Sequence, residues 1–65
     1  MSQRNSNERI IFGLKLKQLR RKKKLSFEKL SVATGISISY LNEIEKGKKF
    51  PKEEKLESIA IALSK

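Results

Sequence analysis

Two glycines, Gly35 and Gly47, each close a stretch of about ten residues that carries helical periodicity. Between Leu25 and Gly47 the chain reads LSFEKLSVATGISISYLNEIEKG. Glycine adopts positive φ at no steric cost, so it is the natural stop after a last helical turn. A chain with two such stops so close together must form two very short helices joined by a tight turn. Neither is long enough to be stable alone, so both must pack on something else.

The rest of the chain supplies the partners. Glu8 to about Lys23 reads as a first helix, with Phe12, Leu16 and Leu19 on one stripe at i, i+4 and i+7. Ile10 or Ile11 can extend that stripe. Ser26 is a good N-cap for a second helix at 27–33, whose inward face is Leu30 with Ala33 or Thr34. Ile36 is a buried plug after the glycine. Ser37 caps a third helix at 38–46, with Leu41 and Ile44 inward. Pro51 suits the entry to a fourth helix at about 52–63, with Leu56, Ile59, Ala60 and Leu63 as its stripe. Met1–Asn7 is polar, lacks periodicity, and reads as a flexible N-terminal arm, leaving residues 8–64 as one domain. No strand pattern is present.

Composition removes several functions. The 65 residues include no cysteine and no histidine, so disulfides, thiolate or imidazole metal sites and histidine general bases are excluded. No cofactor is expected. Glu53, Glu54 and Glu57 share one sign with no partner cluster and suit a helix start, so the chain reads as no enzyme. The net charge is +9, from 16 Lys+Arg against 7 Asp+Glu. Such an excess attracts polyanions, and nucleic acid is the first candidate. An anionic membrane surface competes, but the stripe of the first helix is sized for a core. No membrane span and no signal-peptide apolar core are present, which places the chain in the cytoplasm.

Small residues at Ser31 and Gly35 permit a sharp turn, and Leu30, Ile36, Leu41 and Ile44 fix the crossing of the two helices. Ile38, Ser39, Asn42, Glu43 and Lys46 then lie opposite Leu41 and Ile44 or flank that face.

The ordered set Phe12-Gly13, Leu16, Leu19-Arg20, Leu25-Ser26, Leu30, Gly35-Ile36-Ser37, Ser39-Tyr40-Leu41, Ile44-Glu45, Gly47, Pro51, Leu56, Ile59-Ala60 and Ala62-Leu63 resembles the Cro and phage-repressor type of helix-turn-helix, the lambda-repressor-like DNA-binding domains. The resemblance implies an all-α bundle of four or five short helices. It also implies a transcriptional regulator, a repressor acting on double-stranded DNA at a pseudo-palindromic operator as a homodimer. The third helix would read bases in the major groove through Ser37, Ile38, Ser39, Asn42 and Glu43. Phosphate contacts would come from Lys46, Lys48, Lys49, Tyr40 and the amide of Phe27. For Tyr40 an amphipathic core-edge position is the alternative. Arg20 and Glu45 match a structural ion pair between the first and third helices. Lys22-Lys23-Lys24 would lie away from the groove as a solvated run. Phe27 departs from the family, where glutamine often bonds a phosphate; Thr34 replaces a larger apolar residue; Lys52 is a poor N-cap. Relatives often continue into a further C-terminal domain or a protein partner. Rival functions are an antitoxin that represses its own operon, and a non-catalytic protein-interaction module.

Overall fold

Three helices in this chain begin on one device: a short polar side chain accepts a hydrogen bond from the amide three residues ahead. In the computed structural model, which describes residues 5–64, Asn5 Oδ1 accepts from the Glu8 amide at 2.8 Å, Ser26 Oγ from Lys29 at 3.1 Å, and Ser37 Oγ from Tyr40 at 3.1 Å. The helices are α1 (Ser6–Lys22), α2 (Phe27–Thr34), α3 (Ile38–Glu45) and α4 (Glu53–Leu63). The described residues contain no strand. Lys52, at the entry to α4, makes no side-chain cap. Its helix starts beside the buried Pro51 and carries Glu53 and Glu54 in its first turn, where carboxylates suit the dipole.

The asparagine cap corrects the sequence boundary. Ser6 and Asn7, assigned above to a flexible arm, are helical, because Asn5 rather than a later residue closes the N-terminus of α1. Residues 1–4 of that arm lie outside the described residues. Four helices are present among the described residues, with no fifth.

The helix ends explain the two glycines, and one lysine that behaves like them. After α3, the Gly47 amide donates to the Ile44 carbonyl at 3.0 Å and the Lys48 amide to Glu43 at 2.9 Å, with Gly47 at φ 80°. This pair of bonds is a Schellman closure. After α1 the same pair recurs: Lys24 to Arg21 at 3.0 Å and Leu25 to Arg20 at 2.9 Å. Here the left-handed position is held by Lys24, at φ 58°. A non-glycine residue there carries a strain of roughly 1–2 kcal/mol. Lys24→Gly is therefore expected to raise stability by about 1 kcal/mol, part of the relief being lost to the greater freedom of glycine in the unfolded chain. Thermal or urea unfolding measures this directly, and a destabilised variant would contradict it.

Leu16, Leu30, Ile36, Leu41, Ile44 and Ile59 form the buried core. Phe12, Leu25, Phe27, Tyr40, Ala62 and Leu63 pack around it. Phe12 also meets Phe50 from the α3–α4 loop, ring centroids 4.9 Å apart. α3 packs on α1 and on α2, and α2 packs on α4. Several sequence expectations for inward faces change. Ile10 and Ile11 are exposed. Thr34, not Ala33, is the half-buried residue at the end of α2. In α4 the face turns toward Ile59 and Ala62, leaving Ala60 outside. Leu19 is 39% exposed because it lines an open apolar groove of about 400 Å³ between α1 and α4. No helix among the described residues is long and apolar enough to cross a membrane.

Candidate nucleic-acid interface

The position of α3 is set by one face of α1. Arg9, Gly13, Leu16 and Arg20 recur at i, i+4, i+7 and i+11, which places them on a single stripe. Each meets α3 or its end, or fills the core beside it. Arg9 Nε donates to the Gly47 carbonyl at 3.3 Å. Gly13 lies so close to α3 that a Cβ there would collide with the carbonyl oxygens of Ile44 and Glu45. Leu16 is buried in the core with Leu41 and Ile44. Arg20 holds Glu45 in a fork, Nε to Oε2 at 2.7 Å and Nη2 to Oε1 at 3.2 Å. Its Nη1 donates to the Leu25 carbonyl at 2.9 Å, and its guanidinium lies over the Phe27 ring, 4.2 Å from the centroid. The two ion-paired side chains are 12% and 4% exposed. Cations on α1 thus meet the C-terminal, negative end of the α3 dipole.

The turn between α2 and α3 is closed by hydroxyl groups as well as by glycine. Gly35 is at φ 75°, and its amide donates to the Ser31 carbonyl at 2.8 Å. Ser31 Oγ donates to the Ile36 carbonyl at 2.5 Å. Thr34 Oγ1 donates to Leu30 and accepts from the Ile36 amide, at 2.8 and 3.1 Å. Thr34, half-buried where the resemblance leads one to expect a larger apolar residue, satisfies the backbone of the turn. Ile36 is pinned at both its amide and its carbonyl, and its side chain is buried.

With Leu41 and Ile44 fully buried beneath it, α3 turns its other side outward. Ser37, Ile38 and Ser39 are exposed at its N-terminal end, Ile38 at 43%. Asn42 and Glu43 follow one turn later and are partly exposed. Ser37 Oγ accepts from the Tyr40 amide, which leaves its own hydroxyl hydrogen for another acceptor. Lys46, at the end of α3, and Lys48 and Lys49, in the loop after it, are exposed. The structure therefore gathers the five proposed base-reading residues and three lysines around one helix.

Four of the proposed contact residues have neighbours that sequence reasoning did not anticipate. Glu43 pairs with Lys49, Oε1 to Nζ at 3.1 Å, so one residue expected to read bases and one expected to bind phosphate hold each other. Tyr40 is half-buried against the core and carries two ammonium groups over its ring, Lys49 at 4.9 Å and Lys55 of α4 at 5.3 Å. Phe27 spends its side chain on Arg20 and the core. Only its amide, at the first position of α2 and without an intrahelical partner, remains for an anion. Arg9 and Lys55 were missed as contributors, and Gly13 and Thr34 were singled out without the contacts they make here. Gly13 alone left a signal, since glycine inside a helix costs about 1 kcal/mol and implies a close approach. Among the described residues no cluster of His, Cys, Asp and Glu could hold a metal ion.

Residues 11–64 match the model of a family described as a helix-turn-helix domain. Among solved structures, the restriction-modification controller protein C.AhdI from Aeromonas hydrophila superposes with a TM-score of 0.85 at 31% identity, covering 89% of this chain and 88% of that one. The clp gene regulator ClgR from Corynebacterium glutamicum superposes in two structures with TM-scores of 0.81 at 34% identity. Each covers 86% of this chain, which spans 60% of one ClgR chain and 72% of the other. Comparison with curated proteins found no match.

Proposed function

The chain belongs to the helix-turn-helix domain family, with Cro-type regulators as structural neighbours, and on that basis we propose that it is a repressor that binds double-stranded DNA sequence-specifically. The observation that carries this reading is α3 itself. Leu41 and Ile44 are wholly buried beneath it, its other side presents Ser37, Ile38, Ser39, Asn42 and Glu43 at least partly exposed, and lysines surround its C-terminal end. A helix that is merely solvated needs no rigid mounting, whereas base reading needs side chains fixed relative to the duplex. The names of the structural neighbours, a restriction-modification controller and a clp gene regulator, agree with a regulatory role.

In this reading α3 enters the major groove. Ser37, Ile38, Ser39, Asn42 and Glu43 meet base edges: Ile38 a thymine methyl, Glu43 a cytosine amino group, Asn42 an adenine. Lys46, Lys48 and Lys49, with the amides at the starts of α2 and α3, hold backbone phosphates and set register. Two copies on DNA place their recognition helices about 34–36 Å apart, one turn of duplex, so the operator is pseudo-palindromic. The chain acts in the cytoplasm, where a regulator of this kind meets its operator.

Selection of bound duplexes from random DNA tests the proposal. An inverted repeat is the expected product, and no enriched sequence would reject it. Lys48→Ala is expected to weaken binding uniformly across sequences and to lower the salt slope of log K by about 1. A sequence-dependent loss would move Lys48 to the base-reading set.

A further inference from the structure

We propose that Lys49 and Lys55, both braced on Tyr40, form a two-lysine clamp for a backbone phosphate, and that Glu43 is the internal anion which DNA displaces from it. This rests on the DNA-binding reading above and extends it to α4.

The geometry is specific. Lys49 comes from the α3–α4 loop and Lys55 from the first turns of α4, yet both ammonium groups lie within about 6 Å of one ring centroid, the range of cation–π attraction. The half-buried ring is fixed by the core and so restrains two long side chains that would otherwise sample many rotamers. Of these two ammonium groups, that of Lys49 pairs with a carboxylate, Glu43, and that of Lys55 lies over the ring. The cluster of these three charged side chains is one anion short. A phosphate supplies it, accepting from both lysines at once.

The Glu43–Lys49 pair is suited to exchange. Its side chains are 43% and 50% exposed, so solvent screens it and it is readily broken. The Arg20–Glu45 fork is largely shielded from solvent and braced by the Leu25 carbonyl and the Phe27 ring, and does not exchange. When a phosphate takes Lys49, the Glu43 carboxylate is released to accept from a base edge. Where no cytosine amino group meets it, that carboxylate faces the DNA unpaired and disfavours the site. Backbone contact and base choice are thereby coupled through one side chain.

The test measures binding of the full chain to a selected duplex and to a scrambled one over a salt series. Lys55→Ala is expected to weaken both equally and to lower the salt slope by about 1, with Lys55→Arg retaining the slope. Lys22→Ala, on the last turn of α1, controls for net charge and is expected to change the slope less. Glu43→Gln is expected to tighten the scrambled duplex about two- to fivefold, the worth of an exposed pair. Glu57→Gln adds the same charge elsewhere on α4 and is expected to change it less. The clamp is overturned if Lys55→Ala matches Lys22→Ala, or if Glu43→Gln matches Glu57→Gln. Failure of the unsubstituted chain to bind either duplex would instead overturn the DNA-binding reading itself.

Discussion

Glu45→Ala is expected to destabilise the fold by about 3–5 kcal/mol, enough to unfold much of the population at ordinary temperature. A 65-residue domain has roughly 3–10 kcal/mol in hand. The loss arises less from the missing attraction than from what it leaves behind. Arg20, 12% exposed, would keep its charge with two of its donors emptied, while its third remains on the Leu25 carbonyl and its plane on Phe27. Arg20→Ala leaves the Glu45 carboxylate, 4% exposed, without its partner and is expected to cost a similar amount. The double variant should lose much less than the sum, because each substitution removes the reason the other is harmful. Chemical unfolding of the three variants gives the cycle. Small, additive losses would show that the fork contributes little to the attachment of α3.

Gly13→Ala is the second large effect, and its cause is different. The added methyl would lie 2.9 Å from the Glu45 carbonyl oxygen and closer still to that of Ile44. These are backbone atoms inside a helix and cannot rotate away, so α1 must separate from α3. Overpacking of this kind costs about 1–3 kcal/mol, and alanine returns about 1 kcal/mol in helix propensity. Rigid neighbours put the collision at or above the top of that range, for a net loss of roughly 2–3 kcal/mol, a fall in Tm of about 10–20 °C. Gly35→Ala is the contrasting case. No atom lies within 4 Å of a Cβ at that position, so only its φ of 75° is penalised, at about 1 kcal/mol. If thermal melts place Gly13→Ala level with Gly35→Ala, the close approach of α1 to α3 is not a constraint on this fold.

Periodicity and caps made most of the architecture legible. Leu16, Leu30, Ile36, Leu41, Ile44 and Ile59 are apolar at helical spacings between strong stops, and they are the buried set. What periodicity could not fix was the direction each helix faces. In α4, Ala60 and Ala62 are chemically equal candidates, and only packing of that helix on α2 selects Ala62. Leu19 fits its stripe but lies where α1 and α4 diverge. Hydroxyl groups that close the α2–α3 turn look like ordinary surface residues in sequence, since Ser and Thr bond the backbone in many contexts. Lys24 gives no hint of its positive φ, because glycine is the usual signal. Of the candidate site, the outward placement of the proposed reading face followed from its position opposite Leu41 and Ile44. Lys55 was indistinguishable from any solvated lysine until the loop after α3 brought it over Tyr40.

These elements converge on one claim: α1 and the core hold α3 so that its outer side chains choose the DNA sequence. Repeating the duplex selection with Ile38→Ala and Glu43→Gln tests it most directly. Both side chains are partly exposed and their loss should leave the fold intact. Altered base preference is expected at one position in each half-site per substitution, worth about 1–3 kcal/mol. Recovery of the unchanged sequence with both variants would contradict it.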